Sequence, residues 1–370
     1  MTTIDGSERN AIREGFARLL AQKATEADLR RIMALESGHD ADLWQAISEM
    51  GITGLLVASE YGGIGGSIIE VEAVMEEAGA VLLAGPFLSS VVMAPALLAQ
   101  STDVAVKSRL LPQMAAGTLV AAVAVTGEKG LWTVDDIGVA ARADGDGWVL
   151  DGTACYVLSA AIADILLVVA TVADGVAVYE VEPAAPGLTI APLEGGDRTI
   201  RQSRVTFANV RAQPIAGLDA AAVEQMLEFA RVALAGEQAG ACRRVFDMTV
   251  DYLRSRVQFG RPIGGFQALK HMAADLLIEV ESATSAARAA AQALASNDAK
   301  APAIVSLAAF ACADAFQQVA ASAIQMHGGI AFTWEHSAHL YLRRARVDAQ
   351  LFGVSAFYRD RYVSALENAA

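Results

Sequence analysis

The stretch RSRVQFGRPIGGFQALKHMAAD, residues 254–275, carries two signals side by side. A helix-compatible apolar pattern resumes after Phe266. Leu269, Met272, Ala273, Leu276, Leu277 and Val280 follow the i, i+3, i+4, i+7 spacing, which predicts one buried helical stripe. Ahead of it, Gly260, Pro262, Gly264 and Gly265 break the chain, and Arg254, Arg256 and Arg261 gather around the break. The 370 residues carry a formal net charge of −14. That acidity argues against nucleic acid or an anionic membrane surface as the main partner, and it makes a local arginine cluster more informative.

Downstream, APAIVSLAAFACADAFQQVAASAIQM (residues 301–326) reads as a second long helix, apolar nearly all round. A bundle or a subunit interface must cover such a helix. Upstream, from about residue 118 to Val210, LVAAVAVTG, DILLVVATVADGVAVYEVE and QSRVTFANV are short β-rich runs. ADGDGW (residues 143–148) marks a hairpin, because Asp-Gly supplies the positive φ angles that a tight turn needs. Residues 1–117 read as helical. The glycines of ASEYGGIGGS (residues 58–67) lack a βαβ context, so they read as an interhelical loop rather than a phosphate cradle. The expected fold is α+β, mainly α: a helical domain over 1–117, a small antiparallel β-domain over 118–212 and a helical bundle over 213–370.

Cys155, Cys242 and Cys312 are far apart, and this odd, sparse set suggests a reducing compartment without a disulfide framework. MTTIDGSERN has no basic segment followed by an apolar one, so no signal peptide is expected. No run of about twenty apolar residues is evident, so no membrane span is expected either. The predicted location is the cytoplasm.

The order of domains, RVQFGRPIGGFQALKHMAAD and IQMHGGIAFTWEHSAHLYLRRA together resemble the acyl-CoA dehydrogenase family over nearly the whole chain. The likeness is strongest to short actinobacterial-type members that act on steroid side chains and branched acyl-CoA thioesters. It implies FAD as cofactor and an acyl-CoA as substrate. By that resemblance Arg256, Gln258 and Phe259 reach the FAD of a neighbouring subunit, Arg256 at its pyrophosphate. A guanidinium suits a phosphate, and glycines let backbone come close to an anion. Read without the family, Arg256 is a solvated residue and Gly260–Gly265 an ordinary turn.

The second motif supplies Gln325, Gly328 and Gly329 as further cofactor contacts; alone, it reads as a helix C-cap and a turn. Thr126 matches a threonine that lines the flavin ring. Arg231 and Glu228 match positions beside bound acyl-CoA, and both read equally as solvated helix charges. His327, His336 and His339 lack the cysteines or carboxylates that would complete a metal site, so no metal is expected.

The family reaction needs a carboxylate base on one face of the substrate, with the flavin on the other. The usual base position falls on Phe352, which cannot accept a proton, and the alternative position on Ala230. Glu237 is the nearest acidic residue further along that helix, about 10 Å beyond Ala230. The flavin-lining loop reads TGEKGLWT, and Leu158 replaces the threonine that bonds near flavin N5, although Tyr156 could still stack. No catalytic residue is assigned. The residues lent to a neighbour's FAD are intact, while those that hold a subunit's own flavin are degraded.

Three readings follow. The chain completes a partner's FAD site in an α2β2 acyl-CoA dehydrogenase, or it is a self-sufficient enzyme with Glu237 as a relocated base. Alternatively, it is a non-enzymatic scaffold that kept the fold. The resemblance implies a homologous partner subunit or a homo-oligomer, with an electron-transfer flavoprotein as possible acceptor.

Overall fold

The computed structural model describes residues 4–145 and 147–367. Before the first strand run helices α1 (Gly6–Lys23), α2 (Glu26–Ala34), α3 (Ala41–Glu49), α4 (Ile68–Ala80), α5 (Ala94–Leu98) and α6 (Val104–Ala115). Strands β1 (Ala121–Ala124), β2 (Val139–Asp144), β3 (Gly147–Leu158), β4 (Ile165–Val172), β5 (Gly175–Val181), β6 (Leu188–Pro192) and β7 (Gln202–Ile215) follow. Helix α7 (Ala220–Ser255) leads to the two-residue strands β8 (Val257–Gln258) and β9 (Arg261–Pro262). Helices α8 (Gln267–Ala295), α9 (Ala301–His327), α10 (Ala338–Asp348) and α11 (Ser355–Glu367) complete the chain. The helical, β-rich, helical order matches the expected α+β class.

Contacts divide the chain into two units. The first holds Arg30–Val71 and Ala84–Ala230, with residues up to Glu8; the second holds Arg9–Leu29, Glu72–Leu83 and Arg231 onward.

In the first unit, Asp40 and Asp103 accept backbone N–H bonds at the starts of α3 and α6, satisfying donors that a helix leaves free. The loop Ala58–Ser67 connects helices, as its composition implies: a methyl on Gly63 would overlap the Val57 carbonyl. The sheet curls on itself through β4–β2–β3–β7–β5 and back to β4. The hairpin expected at ADGDGW is present, with Asp144 facing Gly147 across β2 and β3.

The sheet is not wholly antiparallel, and here the expectation is corrected: β1 and β2 each pair with β4 in parallel. The physical reason lies in β4 itself. Its ILLVVATV run buries six successive residues, so both faces are covered, as in parallel strands rather than in a hairpin meander.

In the second unit, α9 packs against α8, α10 and α11. By length and composition, among the described residues one span, α9 with the turn that follows it (Ala301–Phe332), is long and apolar enough to cross a membrane, which corrects the reading that no such stretch exists. More than half of its apolar window, 56 %, lies buried within the protein, the situation of a core helix. The bundle therefore covers part of what the sequence required to be covered.

The stripe on α8 is also corrected. Leu276 and Val280 are buried, but Leu269, Met272 and Ala273 are half-exposed, Leu277 is 40 % exposed and neighbouring Ile278 65 %. Spacing defines which residues share a face, but a face is buried only where a neighbour covers it, and α8 is covered mainly from Ala283 onward.

Helices α4 and α7 approach at backbone distance in this unit. A methyl on Gly240 would overlap the Glu76 carbonyl oxygen, and one on Gly79 the Glu237 carbonyl oxygen. At this crossing Glu76 takes a two-pronged ion pair from Arg288, at 2.8 and 2.9 Å, and a third contact from Arg13 at 3.2 Å. Glu72, one turn earlier, is 3 % exposed. Burial first, and then the Glu76 carboxylate, push its carboxyl up to about 9. The three cysteines are free and buried. Burial raises all three thiols, Cys242 to about 12, so none is primed as a nucleophile.

Candidate cofactor and substrate site

The break at residues 254–275 folds as a miniature hairpin. Val257 pairs with Pro262 and Gln258 with Arg261, and Phe259 and Gly260 form the turn with φ angles of 52° and 74°. Two consecutive left-handed residues make a type I′ turn, which glycine accepts freely and phenylalanine does not. The left-handed region costs a non-glycine residue roughly 1–2 kcal/mol. Phe259 nonetheless occupies it with 91 % of its surface exposed, its ring edge-on to Phe266 at 6.1 Å. Arg261 lies over the Phe266 face, 4.0 Å from its centroid. Arg256 and Gln258 are exposed, and among the described residues their side chains have neither ion pair nor hydrogen bond.

The second glycine motif begins where α9 ends. His327 is 4 % exposed, and its Nδ1–H donates to the Ala323 carbonyl at 2.7 Å, which fixes the tautomer. Its ring stacks on Tyr252, with centroids 4.5 Å apart and planes 28° from parallel. His336 closes the cluster at 4.4 Å from His327. Burial lowers the His327 pKa below its ordinary value, the Ala323 bond opposes this, and His336 lowers it further. The imidazole is therefore neutral at pH 7.

Tyr252 lies one turn before Arg256, and Gly328 follows His327 directly, so this stack ties the two motifs together. Gln325, Gly328 and Gly329 are exposed, and a methyl on either glycine would meet nothing within 4 Å. Among the described residues no group of histidines, cysteines and carboxylates could hold a metal ion.

Arg231 is 3 % exposed and donates from Nε to the Tyr358 hydroxyl at 2.9 Å. That hydroxyl donates in turn to the Phe352 carbonyl. Phe352 is fully buried at a φ of 62°, so the position expected to hold a base is an apolar plug on strained backbone. Arg231, Gln238, Asp348 and Phe352 line one small cavity of about 10 Å³, the room of about one water. Asp348, 1 % exposed, is a residue that reasoning from the sequence misses. The available signal is a pair of charges, Arg344 and Asp348, four residues apart on the buried side of α10. Glu237 is 4 % exposed and forms a buried ion pair with Arg344.

In the first unit, Thr126 is fully buried and its hydroxyl is engaged locally. It donates to Asp136 at 2.8 Å and accepts from the Trp132 N–H at 3.3 Å, while Asp136 also accepts from Leu131 at 3.0 Å. The TGEKGLWT loop is thus closed by its own hydrogen bonds, with Trp132 only 2 % exposed. Tyr156 sits at a bulge of β3 with a φ of 56°, its ring beside Gly130 of that loop. Leu158 is buried, and so is Glu228, on α7.

Two family models match this chain: the acyl-CoA dehydrogenase N-terminal domain over residues 6–118 and the C-terminal domain over residues 217–366. The chain is 34 % identical over 345 residues to acyl-CoA dehydrogenase IpdE2 of Mycobacterium tuberculosis, covering 93 % of itself and 92 % of that protein.

The chain belongs to the acyl-CoA dehydrogenase family.

Other similar proteins agree with its short actinobacterial type. Acyl-CoA dehydrogenase FadE34 of Mycobacterium tuberculosis is 34 % identical over 98 % of this chain and 48 % of its own length. Among solved structures, a variant of the steroid acyl-CoA dehydrogenase Tcur3481–Tcur3483 superposes with a TM-score of 0.89 at 28 % identity, covering 98 % of this chain and 99 % of that one. The ChsE4–ChsE5 complex from Mycobacterium tuberculosis gives 0.90 at 26 % identity, with 97 % of each chain covered. Acyl-CoA dehydrogenases are FAD-dependent oxidoreductases, and FAD is the cofactor their fold serves.

Proposed function

We propose that this acyl-CoA dehydrogenase chain is the subunit that completes a partner's FAD site in a cytoplasmic heteromeric enzyme acting on a bulky acyl-CoA. One observation carries the reading: the two glycine motifs meet at the Tyr252–His327 stack, and every side chain they would lend is presented outward. Arg256 supplies an uncommitted guanidinium, and Gly328 and Gly329 leave room for a phosphate to approach backbone. Gln258 and Gln325 add donors, and Phe259 adds an exposed ring for packing. These residues fit the pyrophosphate half of FAD.

The first unit fits the flavin ring poorly. The Thr126 hydroxyl is already bonded to Asp136 and Trp132, and Leu158 offers no hydrogen bond. In the assembled enzyme FAD would take the substrate's β-hydrogen as hydride. This chain's own task is to neutralise phosphate charge at Arg256 and to hold the two motifs in register through Tyr252. Arg231 and Glu228 are proposed to lie toward the acyl-CoA, with an electron-transfer flavoprotein as final acceptor. ChsE4–ChsE5 is by its name a complex of two different chains, which supports a heteromeric partner.

A self-sufficient enzyme using Glu237 is the second reading. Its support is that Glu237 is a buried carboxylate on the helix that carries Arg231; the Arg344 pair weighs against it. Visible spectra of the chain purified alone and together with a homologous partner separate the readings. Flavin absorbance only in the pair supports a completing subunit, absorbance in the chain alone supports self-sufficiency, and absence in both leaves a scaffold.

A further inference from the structure

The first unit contains a cavity of about 600 Å³ that no residue of the two cofactor motifs lines. Its walls come from the Leu56–Ser67 loop, the end of α5, α6 and the beginning of α7. Leu56, Val57, Ala96, Leu111 and Phe229 make it predominantly apolar. Both the volume and the lining fall in the range of sites that enclose small molecules, which are about 300–1,000 Å³ and apolar with a few polar groups.

The polar group that distinguishes it is Lys107. This lysine is half-buried, and among the described residues its ammonium has no ion pair and no hydrogen bond. It also sits in the first turn of α6, just after the Asp103 cap. A cation is disfavoured there by the helix dipole, while an anion is favoured by both the dipole and the lysine. Of the other polar side chains, Ser59 is exposed and Tyr61 half-buried, and the rest are accounted for differently. Gln100 donates to the Ala96 and Ala222 carbonyls at 3.1 and 3.0 Å, Ser67 donates to Glu70 at 2.6 Å, and Glu60 and Gln225 are exposed at the rim.

We propose that this cavity binds an amphiphilic carboxylic acid, with its apolar body against Leu56, Leu111 and Phe229 and its carboxylate on Lys107. This site is independent of the cofactor reading, since it uses no residue assigned to FAD or acyl-CoA.

The test is fluorescence titration of the full chain with 11-(dansylamino)undecanoic acid, with its methyl ester as the uncharged control. Two variants accompany it: Lys107→Gln, which removes the charge, and Ala99→Trp, which fills the cavity from an exposed lining position. Thermal unfolding of each variant verifies that it is folded. The acid is expected to bind the native chain about tenfold or more tightly than the ester. Lys107→Gln should erase that preference by weakening the acid alone, and Ala99→Trp should abolish binding of both. Equal binding of acid and ester, an unchanged affinity in Lys107→Gln, or undiminished binding in folded Ala99→Trp would each overturn the proposal.

Discussion

Arg344 and Glu237 form an ion pair in which both side chains are almost wholly withdrawn from solvent, at 1 and 6 % exposure. Arg344 also donates to the Leu82 and Leu83 carbonyls, each at 3.4 Å. In this pair the Glu237 carboxylate balances the charge of a buried guanidinium. Removing one partner leaves an uncompensated charge, which costs about 3–5 kcal/mol, whereas replacing both with apolar residues is often neutral.

Glu237→Gln is therefore expected to destabilise the chain by about 3 kcal/mol while turnover per folded partnered complex stays within a few-fold. The double variant Glu237→Leu, Arg344→Met should recover much of the lost stability. Denaturant unfolding and steady-state rates measure both. A fall of about 10²-fold or more in turnover, with assembly and FAD content intact, would promote Glu237 to general base.

Arg256→Ala should weaken FAD retention in the partnered complex by about tenfold to a hundredfold, the worth of a charge-assisted phosphate contact. Equilibrium dialysis of the complex reads this directly. Arg256 is exposed and uncommitted, so the chain's own melting temperature should stay unchanged. Unaltered FAD occupancy would detach Arg256 from the cofactor.

Glu72 makes stability depend on pH in an unusual direction. Its carboxyl is raised to about 9 in the folded chain by burial and by Glu76, against the partial opposition of Arg288 and Arg13. Between about 4.5 and 9 the unfolded chain has released a proton that the folded chain retains, so this group's contribution falls as pH rises through that window. Glu72→Gln keeps the shape and removes the titration. Its stability advantage over the native chain should grow from about pH 6 to about pH 8, by up to about 1.4 kcal/mol per unit. Parallel pH profiles of the two proteins would refute the shift.

Gly240→Ala should destabilise by about 2 kcal/mol or more, because the new methyl overlaps the Glu76 carbonyl oxygen on α4 and rigid backbone must move. An alanine at Gly329, where nothing lies within 4 Å, should leave the melting temperature unaltered. Equal melting temperatures for Gly240→Ala and the native chain would contradict the close helix crossing.

Much of this is legible in the residues. Asp-Gly at 144–145 announces its hairpin, and the α9 run announces a helix requiring cover on several sides. Phe352 can be read as no base because phenylalanine has no proton acceptor, whatever its surroundings. What spacing cannot reveal is which neighbours arrive. Leu277 and Ile278 share the apolar character of the α8 stripe yet remain exposed, and β4 takes parallel partners that come from distant segments. Thr126 is expected, from the resemblance alone, to line a flavin, but only the fold shows its hydroxyl bonded to Asp136. The Arg344–Glu237 pair joins residues more than a hundred positions apart, so neither one's role can be read from its own helix.

The assignment of this chain as the completing subunit stands or falls on where flavin binds. Purify it alone and in complex with a homologous partner, and record the visible flavin spectrum and acyl-CoA-dependent reduction of each. The expected result is a colourless lone chain and a yellow complex that bleaches on addition of acyl-CoA. A lone chain that retains stoichiometric FAD and is reduced by acyl-CoA would contradict it.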